Sequence, residues 1–180
     1  MRLLPLFCLL IFLGACSRSP QADRDITRAE TLYQASKKQR ENPAALESAL
    51  KEVLVADPFH GQAHHDLGVL HLMQGHLYDA AQELSTARKL LEGSPEVRYN
   101  LGLALDRGGK QVEALEAFKS ALEVRPGYLP AVQMQTLLRI RRGQWDERIA
   151  EDLRRIESEG ESKEWKAWAS RQLQGRERRP

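Results

Sequence analysis

From residue 25 onward, apolar side chains recur at three-and-four spacing, broken by short polar or proline-containing stretches. That period belongs to helices that bury one face. No alternating, strand-like pattern follows Cys16. Asp25 to Arg40 predicts a first helix with Ile26, Ala29, Leu32, Tyr33 and Ser36 inward. Asn42-Pro43 predicts the start of a second, with asparagine capping and proline in the first turn. It runs to about Ala56 and turns Ala45, Leu46, Ala49, Leu50, Val53 and Leu54 to one side. Further pairs are expected at about 60–74 and 77–91, 95–107 and 111–124, and 129–142 and 145–159. A last helix at 163–174 carries Trp165, Trp168 and Leu173, suited to cover the apolar edge of the final pair. Residues 176–180 form a charged tail.

The breaks are themselves periodic. Gly75, Gly109 and Gly143 are spaced 34 residues apart, and their neighbours recur in step. Leu67-Gly68 becomes Leu101-Gly102, while Ala80, Leu84 and Ala87 become Ala114, Phe118 and Ala121. Such a period means stacked units, each burying its apolar face on the next. The small Gly68 and Gly102 are expected to let the second helix of each pair approach, with Ala80 and Ala114 as their small partners. Leu84 and Phe118 are expected to fill the space between successive pairs.

These residues resemble the tetratricopeptide repeat, whose loose pattern is W-x2-L-G-x2-Y, A-x3-F and a closing proline. Leu101-Gly102, Leu105, Gly109, Ala114, Phe118, Ala121 and Pro126 match it best; Leu67-Gly68, His71, Gly75, Ala80, Leu84 and Ala87 follow. The first unit is looser, with Tyr33 and Gln34 in the Leu-Gly places and Pro58 closing it. The fourth has Gln135-Thr136, Arg148 and Asp152 where small or apolar residues are expected, which predicts degenerate packing. The resemblance implies an all-α, right-handed α-solenoid with repeats at about 27–60, 61–94, 95–128 and a degenerate 129–160. It also implies a concave groove lined by the first helices. The positions carried over are Gln62, His65, Val69, Leu72 and Met73, then Glu96, Tyr99, Leu103, Asp106 and Arg107. A protein partner, presenting an extended peptide or a helix, is the expected occupant. Some family members grip a C-terminal carboxylate with lysine and asparagine. His65 and Val69 stand at those places, and Asn100 alone does not restore the site.

The N-terminus carries a different signal. Met1-Arg2 precedes an apolar run, Leu3 to Leu13, of roughly a dozen residues, where a membrane span needs about 20. These are the proportions of a secretory signal. The run ends in Leu13-Gly14-Ala15-Cys16, which resembles the lipobox of bacterial lipoproteins. The resemblance implies a signal peptide at 1–15, cleavage before Cys16 and acylation of its thiol. The competing reading is an ordinary secretory signal with an incidental cysteine. Cys8 leaves with the signal, so the mature chain has one cysteine and no internal disulfide. Each buried methylene contributes about 0.8 kcal/mol, so two or three acyl chains hold firmly. Residues 16–24 read as the lipidated cysteine and a polar tether spanning roughly 25 Å. Ser17, by the same resemblance, favours the periplasmic face of the outer membrane. In general plan the chain is similar to pilotin-type and Tad-type lipoproteins that help assemble pili and secretion pores. An adaptor for cell-wall hydrolases or synthases is the alternative.

Composition narrows the field. With 27 basic and 25 acidic residues the net charge is +2, which gives no pull toward nucleic acid. There is no nucleophile elbow and no phosphate-cradling glycine loop, so no enzyme, cofactor or small-molecule substrate is expected. All five histidines fall between His60 and His76. On a helix His60, His64 and His71 lie within about 40° of one another, and imidazoles at such spacing can bind zinc. Because His64 and His71 fall where the repeat packs an aromatic, the preferred reading is aromatic substitution and no metal site. Arg139, Arg141, Arg142, Arg148, Arg154 and Arg155 read as a solvated basic face, with lipid headgroups or an acidic partner as the alternative.

Overall fold

The computed structural model describes residues 24–177. The expected signal peptide, Cys16, nearly all of the tether and residues 178–180 lie outside the described residues. Among the described residues every regular element is helical: α1 (Ile26–Ser36), α2 (Pro43–Ala56), α3 (Gly61–Gln74), α4 (Leu77–Leu90), α5 (Pro95–Arg107), α6 (Gln111–Val124), α7 (Leu129–Arg141), α8 (Glu147–Glu159) and α9 (Lys163–Glu177). No helix among them is long and apolar enough to cross a membrane. Each helix packs on its neighbours in sequence, as a solenoid requires.

Local chemistry sets the helix starts. Asp25, Asn42, Ser94 and Asp146 each accept a backbone N–H of the first turn through the side chain. His60 does the same with its ring, its Nδ1 accepting from Ala63 N at 3.1 Å. His60 therefore caps α3 instead of opening it. Gly75, Gly109 and Gly143 stop or follow the first helices with φ of 81°, 78° and 73°. A Cβ there would meet nothing, so the backbone conformation alone demands glycine. The first repeat has Glu41 at the corresponding place. There α1 ends early, at Ser36, and a 3-10 turn over Lys37–Gln39 replaces the expected continuation to Arg40. Gln34, within α1, is exposed, and Ile26 at the other end is 58% exposed, not inward.

The close approach within each pair differs from the expected one. A Cβ at Gly68 would fall 2.7 Å from Leu84 Cγ, and one at Gly102 would fall 2.6 Å from Phe118 Cδ1. Glycine therefore admits a large side chain of its own pair and, at Gly68, the backbone of α4, with Leu84 N 3.1 Å from the Cβ place. Leu84 and Phe118 also fill the space between pairs, Leu84 clustering with Leu101 and Ala104 of α5 and Phe118 with Leu138 of α7.

The fourth repeat departs from this pattern. One period on, Thr136 takes the place of Gly102 and Asp152 that of Phe118. A larger residue thus stands at the first-helix place and a smaller one at the second-helix place, and both α7 and α8 form. Thr136 and Asp152 are buried, and Ile149, Leu153 and Ile156 pack beside them with Val132. Trp165, Trp168 and Leu173 of α9 lie against this same cluster.

Burial pushes the Asp152 carboxyl above the usual carboxylate range, with Arg148 at 3.4 Å opposing. A raised folded-state value means the native protein binds the extra proton more tightly. Stability from this group is then fully present below the unfolded value near about 3.9 and is lost as pH rises through the folded value. Asp152→Asn is expected to unfold at higher urea than the parent at pH 7 and at similar urea near pH 3. A parent more stable than Asp152→Asn at pH 7 would contradict this.

Candidate functional site

The first helices α1, α3, α5 and α7 share one face, tied together by side chains one period apart. Tyr33 Oη of α1 donates to Asp66 Oδ2 of α3 at 2.9 Å. Asn100 Nδ2 of α5 lies 3.0 Å from His65 Nε2 of α3. Arg107 donates to the Leu72 carbonyl at 3.4 Å, and Arg141, one period on, lies 4.0 Å from Asp106.

His65 and Asp66 are the centre of this floor. Asp66 Oδ1 accepts from Gln62 Nε2 at 3.0 Å and lies 3.1 Å from His65 Nδ1. With Nε2 of His65 accepting from Asn100, Nδ1 carries the proton and donates to Asp66. Burial pushes the Asp66 carboxyl up, but the bonds from His65, Tyr33 and Gln62 outweigh it and hold the group below the usual range. Burial and the bond to Asp66 raise the Tyr33 phenol in turn. The result is a fixed polar strip: Tyr33, Asp66, Gln62, His65, Asn100.

Beside it lies a cavity of about 380 Å³. Leu46, Val69, Leu70 and Met73 supply apolar wall, while Lys37 and Arg40 stand at the edge. The Lys37 ammonium sits 4.7 Å from the Tyr33 ring centroid. Met73 is 79% exposed, a flexible apolar rim.

Further along, Tyr99 packs against Phe118 and meets Tyr128 edge-on, with centroids 5.8 Å apart. Burial first, and the charge of Glu161 second, raise the Tyr99 phenol. A second, more open cavity of about 470 Å³ joins Leu137 of α7 to Trp165 and Trp168 of α9. The two indoles stand perpendicular, 5.2 Å apart.

The expected groove residues are thus placed unevenly. Gln62, His65, Val69 and Met73 gather at the first cavity or its polar floor. Tyr99 and Leu103 lie on the next helix, packed against Phe118 and Leu138. Glu96 is engaged at the edge by Ser94 and by Arg125 at 2.9 Å. Asp106 and Arg107 are drawn into the bridges between repeats. Leu72 is 5% exposed and packs with Leu84, Leu101 and Ala104, so its side chain belongs to the core and not to the open groove.

Sequence reasoning missed Asp66 and Tyr33. The signal was present: Asp66 and Asn100 are one period apart, both polar, each beside an expected groove position, His65 and Tyr99. Gln133 and Leu137, one period beyond Tyr99 and Leu103, were also left out. Gln133 is buried with Nε2 unpartnered.

The histidines do not assemble as helical spacing implies. His60 reaches Glu30 at 3.3 Å, and His64 is held by Glu83 at 2.6 Å and the Pro58 carbonyl at 3.0 Å. Burial lowers the His64 value, but the Glu83 contact outweighs it and the net shift is upward. His71 lies apart from both, beside His76.

The sequence profile of the tetratricopeptide repeat matches residues 34–95 and 74–128, which together span more than half the chain. The protein belongs to the tetratricopeptide repeat family. A TPR repeat-containing protein of Pseudomonas aeruginosa is 35% identical over 113 residues, 59% of this chain and 46% of that one. The chain therefore spans just under half the length of this relative. Among solved structures, YrrB, described as a TPR protein with an unusual peptide-binding site, superposes with a TM-score of 0.67 at 21% identity, over 82% of this chain and 76% of that one. The first TPR of Spaghetti (RPAP3), bound to the HSP90 peptide SRMEEVD, gives 0.64 at 15% identity, over 68% and 98%. At these identities the likeness establishes the all-α repeat solenoid. Proteins of this family mediate protein–protein interactions and are mostly non-enzymatic scaffolds.

Proposed function

We propose that this protein is a lipid-anchored adaptor or assembly factor of the bacterial cell envelope, serving pilus or secretion machinery. It seats an extended segment or a helix of a partner protein on the face formed by α1, α3, α5 and α7. The observation that carries this reading is the first cavity: apolar walls, a fixed polar floor and two cations at the edge. Such a surface suits a segment with an apolar anchor and an acidic flank. The peptide-binding descriptions of YrrB and Spaghetti support the mode of binding. His65 and Val69, in place of lysine and asparagine, argue against a C-terminal carboxylate as the anchor. Leu13-Gly14-Ala15-Cys16 supports the acyl attachment, and Ser17 the outer membrane.

Two measurements test the two halves. Native envelopes are crosslinked, and captures by the intact chain are compared with those by Lys37→Glu/Met73→Glu, both exposed positions. An envelope protein whose capture falls at least tenfold in the variant is the expected result. Equal capture would place the binding surface elsewhere. Separately, cells fed labelled palmitate are expected to label the intact protein and not Cys16→Ser. An intact protein that takes up no label ends the lipoprotein reading.

A further inference from the structure

Where α3 turns into α4, His71, His76 and Asp79 converge. One donor atom from each, an imidazole nitrogen or a carboxylate oxygen, lies within 4.8 Å of the others. The two rings are tilted at 49° with centroids 5.8 Å apart. This trio is distinct from the groove and shares only His71 with the set that helical spacing lines up.

Each member is otherwise unemployed. His71, on the last turn of α3, is 8% exposed, and its Nδ1 has no hydrogen-bond partner. A buried polar nitrogen left in that condition is destabilising, so its retention calls for a reason. His76 stands at the N-cap of α4 yet makes no capping bond, unlike the caps of α1, α2, α3, α5 and α8. Asp79 sits exposed in the first turn of α4.

We infer that His71, His76 and Asp79 form a binding site for a divalent transition-metal ion of the zinc type. Two imidazoles and a carboxylate are the donors such an ion takes, whereas magnesium and calcium prefer oxygen alone. Tetrahedral coordination with bonds of about 2.0–2.2 Å sets donors roughly 3.4 Å apart. Reaching that spacing needs the exposed His76 and Asp79 side chains to swing by roughly 1.5 Å, while the buried His71 ring stays as the fixed point. A water completes the shell. The ion would staple the end of α3 to the start of α4 across Gly75, stiffening one repeat without touching the groove.

The test uses the full chain carrying Cys8→Ser and Cys16→Ser, so that no thiol competes, after removal of metal by a chelator. Zinc chloride is titrated calorimetrically at pH 7.5, with magnesium chloride as control, and thermal unfolding is followed in parallel. One saturable zinc site, a raised Tm and no magnesium uptake are expected. His76→Ala and Asp79→Asn, at exposed positions, are expected to weaken zinc at least tenfold with unchanged circular dichroism. His71→Phe, which keeps an aromatic in the buried place, is expected to do the same. His64→Gln is expected to leave affinity unchanged. Absence of saturable uptake, uptake that survives His76→Ala, or loss with His64→Gln would each overturn the site.

Discussion

Phe118→Ala is expected to lower the free energy of unfolding by about 3–5 kcal/mol, the range for truncating a fully buried aromatic. Phe118 is completely buried and lies against Gly102, Tyr99, Leu103 and Leu138, so its loss opens the seam between α5, α6 and α7. Neighbouring parts of the array touch only through such seams, and this one is central. Gly102→Ala in the native background forces a Cβ to within 2.6 Å of Phe118 Cδ1. Overpacking of this kind costs roughly 1–3 kcal/mol. In the Phe118→Ala background the same Cβ has room. The double variant is therefore expected to be more stable than the two single losses added together, with a coupling on the order of 1–2 kcal/mol. Urea denaturation followed by circular dichroism measures all four forms. If Gly102→Ala costs the same in both backgrounds, glycine is not there to admit the ring.

The helices of the fourth repeat were legible in sequence, but its packing was not. Thr136 and Asp152 look wrong one at a time, because each departs from the family pattern. Taken as a pair, they put a larger residue at the Gly102 place and a smaller one at the Phe118 place, and both are buried. The 34-residue period was legible because Gly75, Gly109 and Gly143 answer a backbone demand, which depends on no other side chain. Packing depends on knowing which residues touch, and that is a tertiary fact. Ile26 is a second case: apolar spacing places it on the inner face, yet at the first turn of α1 it is 58% exposed.

The candidate groove divides along the same line. His65, Val69 and Met73 could be read by moving family positions one period at a time. Leu72 could not, since adjacent helical positions point to different neighbours and only packing shows that it faces Leu101 and Ala104. The meeting of His71 with His76 and Asp79 was hidden for a further reason. A helical-face argument stops at the end of the helix, and the turn at Gly75 brings the start of α4 back beside α3.

Asp66→Ala is expected to cost about 2–3 kcal/mol, more than any other single change in the polar floor. Hydrogen bonds to a charged acceptor contribute roughly 1.5–3 kcal/mol each, and here three donors share one partly solvated carboxylate, so the contributions do not add in full. Tyr33 Oη, Gln62 Nε2 and His65 Nδ1 would all lose their acceptor. Tyr33→Phe removes one of the three and is expected to cost about 1 kcal/mol. The pH dependence has a definite sign. The folded Asp66 value is depressed, so its stabilisation is present above the unfolded value near about 3.9 and is lost as pH falls through the folded one. Asp66→Asn, which keeps the shape and loses the charge, should show a shallower decline in acid than the parent. The same change reaches the proposed function, because Asp66 fixes His65 and Gln62 beside the first cavity. A partner that uses that cavity should bind Asp66→Asn more weakly at neutral pH, where the protein remains folded. Equal affinity, with the stability loss intact, would make the strip a support for the repeats and not part of the binding surface.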